Sequence, residues 1–438
     1  MIKNKKLLLI LVILNLSKNL SPIDNAHFYK TPHLYKSSTT CWFDELEKYE
    51  VSNWYTKIDA SYAYGSTSKC WNKDGHTAPL LNATGNYNML YLMENVQTQP
   101  DQYNFATFLS NAIINHSKTN NTFGELEFDG KFKINEFNID LRQNLVENFF
   151  IEAHLPIRHV KLYNISYTDK SPETGIYSQQ YWAWKQFKNQ LNTLLSNYDL
   201  KDYDSPYSKT GFGATSLLVG WQSFSEKNKH NIKFIGFGIK GGILFPTGTK
   251  EKTDQVFSMP TGYNKHWGVP LAYQLDFGFF KWLTFSTDGS INIFLDKKVT
   301  KRMTTHSKQN GQIKLAEGKA TEEKGNLWHI GFDLKFDHIW EGLSGLVGYS
   351  YSRRDKDYLT PKNTTLFNAT TVNTDLTLNA WFMHVLHFII DYDFSIHMEN
   401  SHLAPRINLF YNYPLDGKNA YKTDMLGAGL GLDIRWKI

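Results

Sequence analysis

The chain closes on Gly427-Ala428-Gly429-Leu430-Gly431-Leu432-Asp433-Ile434-Arg435-Trp436-Lys437-Ile438, and this stretch decides the fold. In an extended strand successive side chains point to opposite faces. Ala428, Leu430, Leu432, Ile434, Trp436 and Ile438 therefore share one face, and Gly427, Gly429, Gly431, Asp433, Arg435 and Lys437 share the other. One face is apolar to the last residue, while its opposite carries small and charged groups. Such a strand fits lipid on one side and a polar lumen on the other.

Working outward from this strand, the same alternation recurs in about twelve segments. They lie near Trp54–Tyr64, Gly124–Gln143, Phe149–Tyr163, Gly211–Phe224, Ile232–Phe245, Trp267–Phe279, Trp282–Leu295, Asn326–His338, Leu343–Arg354, Leu376–Tyr392, Leu403–Tyr413 and Asp424–Ile438. Each reaches the roughly 9–11 residues that a tilted strand needs to cross an outer-membrane hydrocarbon layer. The connections alternate short and long, as periplasmic turns and external loops do in such barrels. The expected fold is all-β: a transmembrane, antiparallel, up-and-down β-barrel of about twelve strands over residues 54–438, with short helices in its long external loops.

Asp129-Gly130 is a hairpin signal inside the second segment. Alternation runs through it, from Leu126 and Phe128 to Phe132 and Ile134, and then shifts by one residue before Phe137, Ile139 and Leu141. One long strand with a bulge near Asn135 is expected. A real turn at Asp129-Gly130 would change the strand count. Helical spacing of Trp184, Phe187, Leu191, Leu194 and Tyr198, and of Phe105, Phe108, Leu109, Ala112 and Ile113, places amphipathic helices in two long loops. These helices either cap the barrel mouth or fold inward and narrow the lumen.

A hydrophobic content of 41% suits a barrel, because only alternate residues of each strand face lipid. Three lysines in Met1–Lys6 and the apolar run Leu7–Leu16 read as a secretory signal over residues 1–26, and the run is too short to span a bilayer as a helix. Those residues hold +3 of the formal charge of +5, which leaves about +2 for the remainder. Such a balance argues against nucleic acid as a partner. The expected partners are outer-membrane lipid, the barrel-assembly machinery through the C-terminal strand, and small solutes. No cofactor is expected, and no histidine or cysteine spacing marks a metal site.

Alternation assigns Lys57, Arg142, Arg158, Lys240, Lys335, Arg354, Arg406, Arg435 and Lys437 to the lumen face, with Asp59, Asp140, Glu152, Asp276, Asp288, Asp333, Asp337, Asp391 and Asp433. The two signs are equal in number, so no single-sign filter is visible. The residues expected to line the pore most directly are Lys57, Asp59, Asp140, Arg142, Arg158, Asp333, Lys335, Asp391, Arg406, Asp433, Arg435 and Lys437. They would form either paired charges that bridge the strands or a polar constriction. The seam where Lys57 and Asp59 meet Asp433, Arg435 and Lys437 is the expected narrowing. Cys41 and Cys70 are the only cysteines, and a disulfide between them would pin residues 27–53 inside the lumen as a plug. A lipid hydrolase would need Ser and His together on the lipid face. There His384 is flanked by Phe382 and Leu386, with Tyr349 and Tyr411 facing it rather than serine.

In residue types, Gly431, Ile434, Trp436 and Ile438 resemble the closing-strand signal of bacterial outer-membrane barrels, with Ile438 where Phe or Trp is usual. The strand end Gly241-Gly242-Ile243-Leu244-Phe245-Pro246-Thr247-Gly248 resembles the Pro-Thr-Gly strand end of some outer-membrane transporters for small organic, often hydrophobic, compounds. Across nearly the whole mature chain the resemblance is to Gram-negative outer-membrane β-barrels. It implies an outer-membrane location and a channel or transporter for small solutes. The alternative is a surface or adhesion protein whose barrel anchors large loops.

Overall fold

The structure is a computed structural model that describes residues 55–92, 124–145, 148–171, 178–226, 232–280, 282–398 and 403–435. The expected signal sequence, the 27–53 segment, the first-loop helix, Cys41 and Lys437 lie outside these residues. Twelve strands form the barrel: β1 Tyr55–Thr67, β2 Glu125–Asn144, β3 Phe149–Asp169, β4 Tyr207–Phe212 continued by Ser216–Glu226, β5 Phe234–Leu244 and β6 Gly268–Phe280. They continue with β7 Leu283–Phe294, β8 Leu327–Trp340, β9 Leu343–Arg354, β10 Trp381–Asp393, β11 Leu403–Lys418 and β12 Met425–Arg435. Each strand pairs antiparallel with its sequence neighbours, and β1 pairs with β12 to close the ring. The seam puts Lys57 opposite Asp433, Asp59 opposite Gly431 and Tyr55 opposite Arg435.

Burial follows the period of two, with the usual sign inverted. Leu430 is 64% exposed and Leu409 57%, whereas Asp433 is 0% and Asn408 1% exposed. Charges inside and a belt of large apolar residues outside are stable only with hydrocarbon around the ring, and closure leaves no unpaired strand edge in it. The chain is a closed transmembrane β-barrel. No helix among the described residues is long and apolar enough to cross a membrane.

The bulge expected near Asn135 is absent. β2 keeps strict alternation from Leu126 to Asn144, so Leu126, Phe128, Phe132 and Ile134 face inward while Phe137 is 39% and Leu141 39% exposed outward. What changes near Asn135 is the inner face, which passes from apolar above to polar below. The register shift lies instead opposite Gly130, where Asp129 pairs with Ser166 and Lys131 with Tyr163. The extra residue belongs to β3, at Asn164 with φ 54°, a left-handed conformation that asparagine tolerates. Asp129-Gly130 is therefore passed through by one continuous strand.

β4 breaks at residues 213–215 because of β3. Pro156 has no N–H to give the ladder, and pairing jumps from Ile157–Phe212 to His154–Ser216. The Gly213 N–H still reaches Pro156 O at 2.7 Å. Two further boundaries differ from expectation. Leu376–Leu378 is a 3-10 turn preceding β10, and β11 runs on to Lys418, which shortens the last loop. The second-loop helix is two helices, α1 Ser178–Asn189 and α2 Leu191–Ser196, broken at Gln190.

Candidate functional site

Toward the short-turn end, most charges of the inner wall lie in compensated sets. Lys57 lies 3.7 Å from Asp59, and Arg406 lies 3.5 Å from Asp433. Asp391 lies opposite Asn408, one rung from Asp393 and Arg406. Glu152 accepts from Lys240 at 2.6 Å and lies 3.6 Å from Arg142, which also bonds Gln222 and stacks over the Phe150 ring. Asp140 bonds His154. Asp276 accepts from Lys335 at 2.9 Å, from Gln274 at 2.8 Å and from Ser286. Asp337 accepts from Ser344 at 3.0 Å. Ionised groups facing a narrow lumen inside a hydrocarbon ring must be paired or wet, and these pairs meet that demand strand to strand. Arg435 ends β12, and Lys437 lies outside the described residues.

The inward glycines make room for these carboxylates. Asp59 lies directly opposite Gly431, Asp276 opposite Gly236, Asp288 opposite Gly331 and Asp333 opposite Gly348. A Cβ on Gly431 or Gly331 would stand 2.7 Å from the facing carboxylate oxygen, and one on Gly348 would collide with Asp333. Each carboxylate thus occupies the space its partner's side chain would fill. It lies against the wall instead of projecting across the lumen. In the closing strand Gly431 makes this room for Asp59, while Gly429 makes it for the Asn408 amide and Gly427 for the Phe410 ring.

Farther up, Arg158 forms an ion pair with Glu136 and donates to the Thr261 carbonyl at 3.1 Å. Arg158 is 1% exposed. Thr261 belongs to the 245–267 connection, so this loop enters the barrel and is held there. Tyr207 donates to Met259 O at 2.6 Å, and Phe257 packs against Phe128 on the β2 wall. Above this level, Trp184, Phe187 and Leu191 from the helices share a core with Leu126, Phe128 and Leu162. Of the two arrangements expected for the helices, α1 and α2 cap the mouth against the upper inner wall, and the loop that folds inward is the third one.

Alternation missed Glu136. The bulge wrongly placed near Asn135 removed it from the lumen face, although strict period-two counting from Arg142 recovers it. Also unanticipated is a buried relay across β9, β10 and β11. His387 Nε2 lies 2.7 Å from Ser350 Oγ, and its Nδ1 lies 2.6 Å from Asn412 Oδ1. The order of groups is that of a nucleophilic hydrolase, but Ser350, His387 and Asn412 are all 0% exposed, so no ester reaches Ser350 in this arrangement. On the lipid side, His384 bonds Tyr349 at 2.5 Å. Cys70 is buried in a small external sheet, where its Sγ donates to Pro79 O at 2.9 Å and burial pushes its thiol pKa up.

No protein-family model and no curated protein matches the chain. Among solved structures, an outer-membrane channel from Pseudomonas putida F1 matches with a TM-score of 0.44 at 10% identity, covering 87% of this chain and 95% of that one. The toluene transporter TodX from Pseudomonas putida matches with a TM-score of 0.31 at 9% identity, covering 95% and 96%. A FadL homologue from Pseudomonas aeruginosa matches with a TM-score of 0.28 at 9% identity, covering 88% and 91%.

Proposed function

We propose that the protein is an outer-membrane channel or transporter for small solutes, which pass through a narrow lumen of mixed charge. The observation that carries this is the inner wall's unmet hydrogen-bonding capacity. Both amide atoms of Asn408, one carboxylate oxygen of Asp391, the Ser61 hydroxyl and the Asn292 carbonyl are buried with no hydrogen-bond partner among the described residues. Buried polar groups bond to protein or to water. Such groups on β1, β7, β10 and β11 call for water or a polar solute as partner, which supports a polar lumen over an apolar one. The inserted 245–267 loop, clamped by Arg158, is the natural narrowing of that path.

The apolar core beneath α1 and α2 favours a second reading, in which the mouth is sealed and the barrel anchors its loops. Refolded protein in planar bilayers separates the two. Discrete conductance steps, with liposome swelling that falls as solute size rises, are expected. A barrel that folds but passes no ions would overturn the channel reading.

A further inference from the structure

The loops that follow β5, β7 and β9 enclose a cavity of about 750 Å³ at the external end of the barrel. Its size is that of a small-molecule site. Its lining is unlike the barrel wall, with eleven lysines and arginines to three acidic residues. Those three acids are already engaged: Asp254 with Lys201 at 3.2 Å, Glu251 with Lys301 at 3.6 Å, and Asp357 with Arg354 at 2.9 Å. The two arginines are engaged as well, since Arg302 donates to the carbonyls of Thr253 and Tyr198 at 2.6 Å each and to that of Leu315. Lys250, Lys252, Lys298, Lys319 and Lys362 remain, exposed and with no carboxylate partner among the described residues.

Two features distinguish this cluster from an ordinary solvated face, which intersperses both signs. The lysines come from three separate loops and converge on one concavity. The frame behind them is locked by buried ion pairs. Glu322, 0% exposed, bonds His266 at 2.9 Å and Lys301 at 3.2 Å, and Lys314 pairs with Asp375. Burial, then the fields of Lys250, Lys324 and Lys265, lower the pKa of Lys297, as expected where positive charge is in excess.

We propose that this cavity binds a small soluble polyanion, bearing several carboxylate or phosphate groups, and presents it to the barrel. The inference rests on the channel reading for the route inward and deepens it by naming the solute class. Free lysines rather than free arginines give point charges without a bidentate fork, so the site selects for charge more than for one oxyanion geometry. Binding of this kind is weak and steeply salt-dependent, which suits capture followed by release.

The test is titration calorimetry on the full refolded chain in a neutral detergent, with inorganic triphosphate, citrate and glucose as probes. Saturable heat is expected for the two anions and none for glucose, with affinity falling about tenfold between roughly 0.05 M and 0.3 M salt. Lys298→Gln, Lys319→Gln and Lys362→Gln together should weaken citrate binding by about tenfold or more. The same change of charge at Lys131, Lys133 and Lys161, on the outer face of β2 and β3, should alter it less than about twofold. A Lys→Arg version of the cavity triple keeps the charge and should retain binding, and the salt series on unaltered protein tests the proposal without any variant. Equal loss from both triples, or heat that ignores salt, overturns it. Abolition of citrate binding by anionic phospholipid in the micelle overturns the assignment to a soluble solute. A sealed bilayer with intact citrate binding would remove the channel reading alone; an open channel with no charge-dependent binding would remove this inference alone.

Discussion

The barrel interior and the loop cavity hold charge under opposite rules. Inside the ring, Lys335 meets Asp276, Arg158 meets Glu136 and Arg406 meets Asp433. At the mouth, five lysines stand without a carboxylate partner among the described residues. The difference follows from the surroundings. A lumen ringed by hydrocarbon screens poorly, so an unpaired ion there costs several kcal/mol, whereas at the mouth water screens excess charge within about 8 Å. Selectivity is therefore cheapest to build in the loops, and the wall is free to be neutral.

The largest expected effects come from removing one partner of a buried pair in each region, at a cost of roughly 3–5 kcal/mol. Arg158→Gln strands Glu136 and frees the Thr261 carbonyl, so the 245–267 loop should leave the lumen. Single-channel conductance then rises while the barrel stays folded, and unchanged conductance would show that this loop does not narrow the path. Glu322→Gln leaves Lys301 with Glu251 as its remaining carboxylate, beside His266, in the three-stranded loop sheet of Lys297–Arg302, Glu317–Glu323 and Tyr358–Pro361. Limited proteolysis should then cut between residues 295 and 326 while heat-modifiable migration of the barrel persists. Acid reports on the same residue. Burial opposes ionisation of Glu322, but Lys301, Lys324 and the His266 bond outweigh it and hold its pKa well below the usual range. The contribution of Glu322 is thus complete above an unfolded carboxyl pKa of about 4.3 and fades as pH falls toward the depressed folded value. Loop cleavage should increase below about pH 4, and a loop equally resistant at about pH 3 would sink this account.

A smaller effect tests the Asp–Gly pairing of the wall. Gly348→Val forces the Asp333 carboxylate off its neighbour and out across the lumen, at a stability cost of about 1–3 kcal/mol. Conductance should fall in Gly348→Val and largely return in Gly348→Val with Asp333→Ser. Without that recovery, steric loss at the glycine, not displaced charge, would be the cause.

The wall was legible in the sequence because its rule has one period. The face on which Leu430, Leu432 and Ile434 lie is fixed by hydrocarbon, and the opposite face follows by counting. Counting failed where the inner face changed solvent. Phe132 and Ile134 point inward into the apolar core at the mouth, where Phe132 packs on Tyr421, and their apolar character imitates lipid exposure. That shifted the bulge from β3 to β2 and hid Glu136. The proline that breaks the β3–β4 ladder was visible at Pro156. The loop lysines were not legible as a group, because Lys250, Lys298, Lys319 and Lys362 obey no period and are joined only by three loops folding over one mouth.

The smallest expected effect is on ion selectivity, and it bears most directly on the contrast between the regions. Lys57→Gln with Asp59→Asn removes one charge of each sign from the seam, where Lys57 lies 3.7 Å from Asp59, so the field along the lumen is nearly unchanged. Reversal potentials in a salt gradient should stay put. Lys298→Gln, Lys319→Gln and Lys362→Gln remove three uncompensated charges at the entrance, where a cluster raises the local concentration of anions before they reach the barrel. The anion-to-cation permeability ratio should fall by about two- to threefold, and the fall should shrink as salt shortens the screening length. If the seam pair moves the reversal potential and the loop lysines do not, then charge inside the wall controls passage and the division of labour between neutral barrel and basic mouth is wrong.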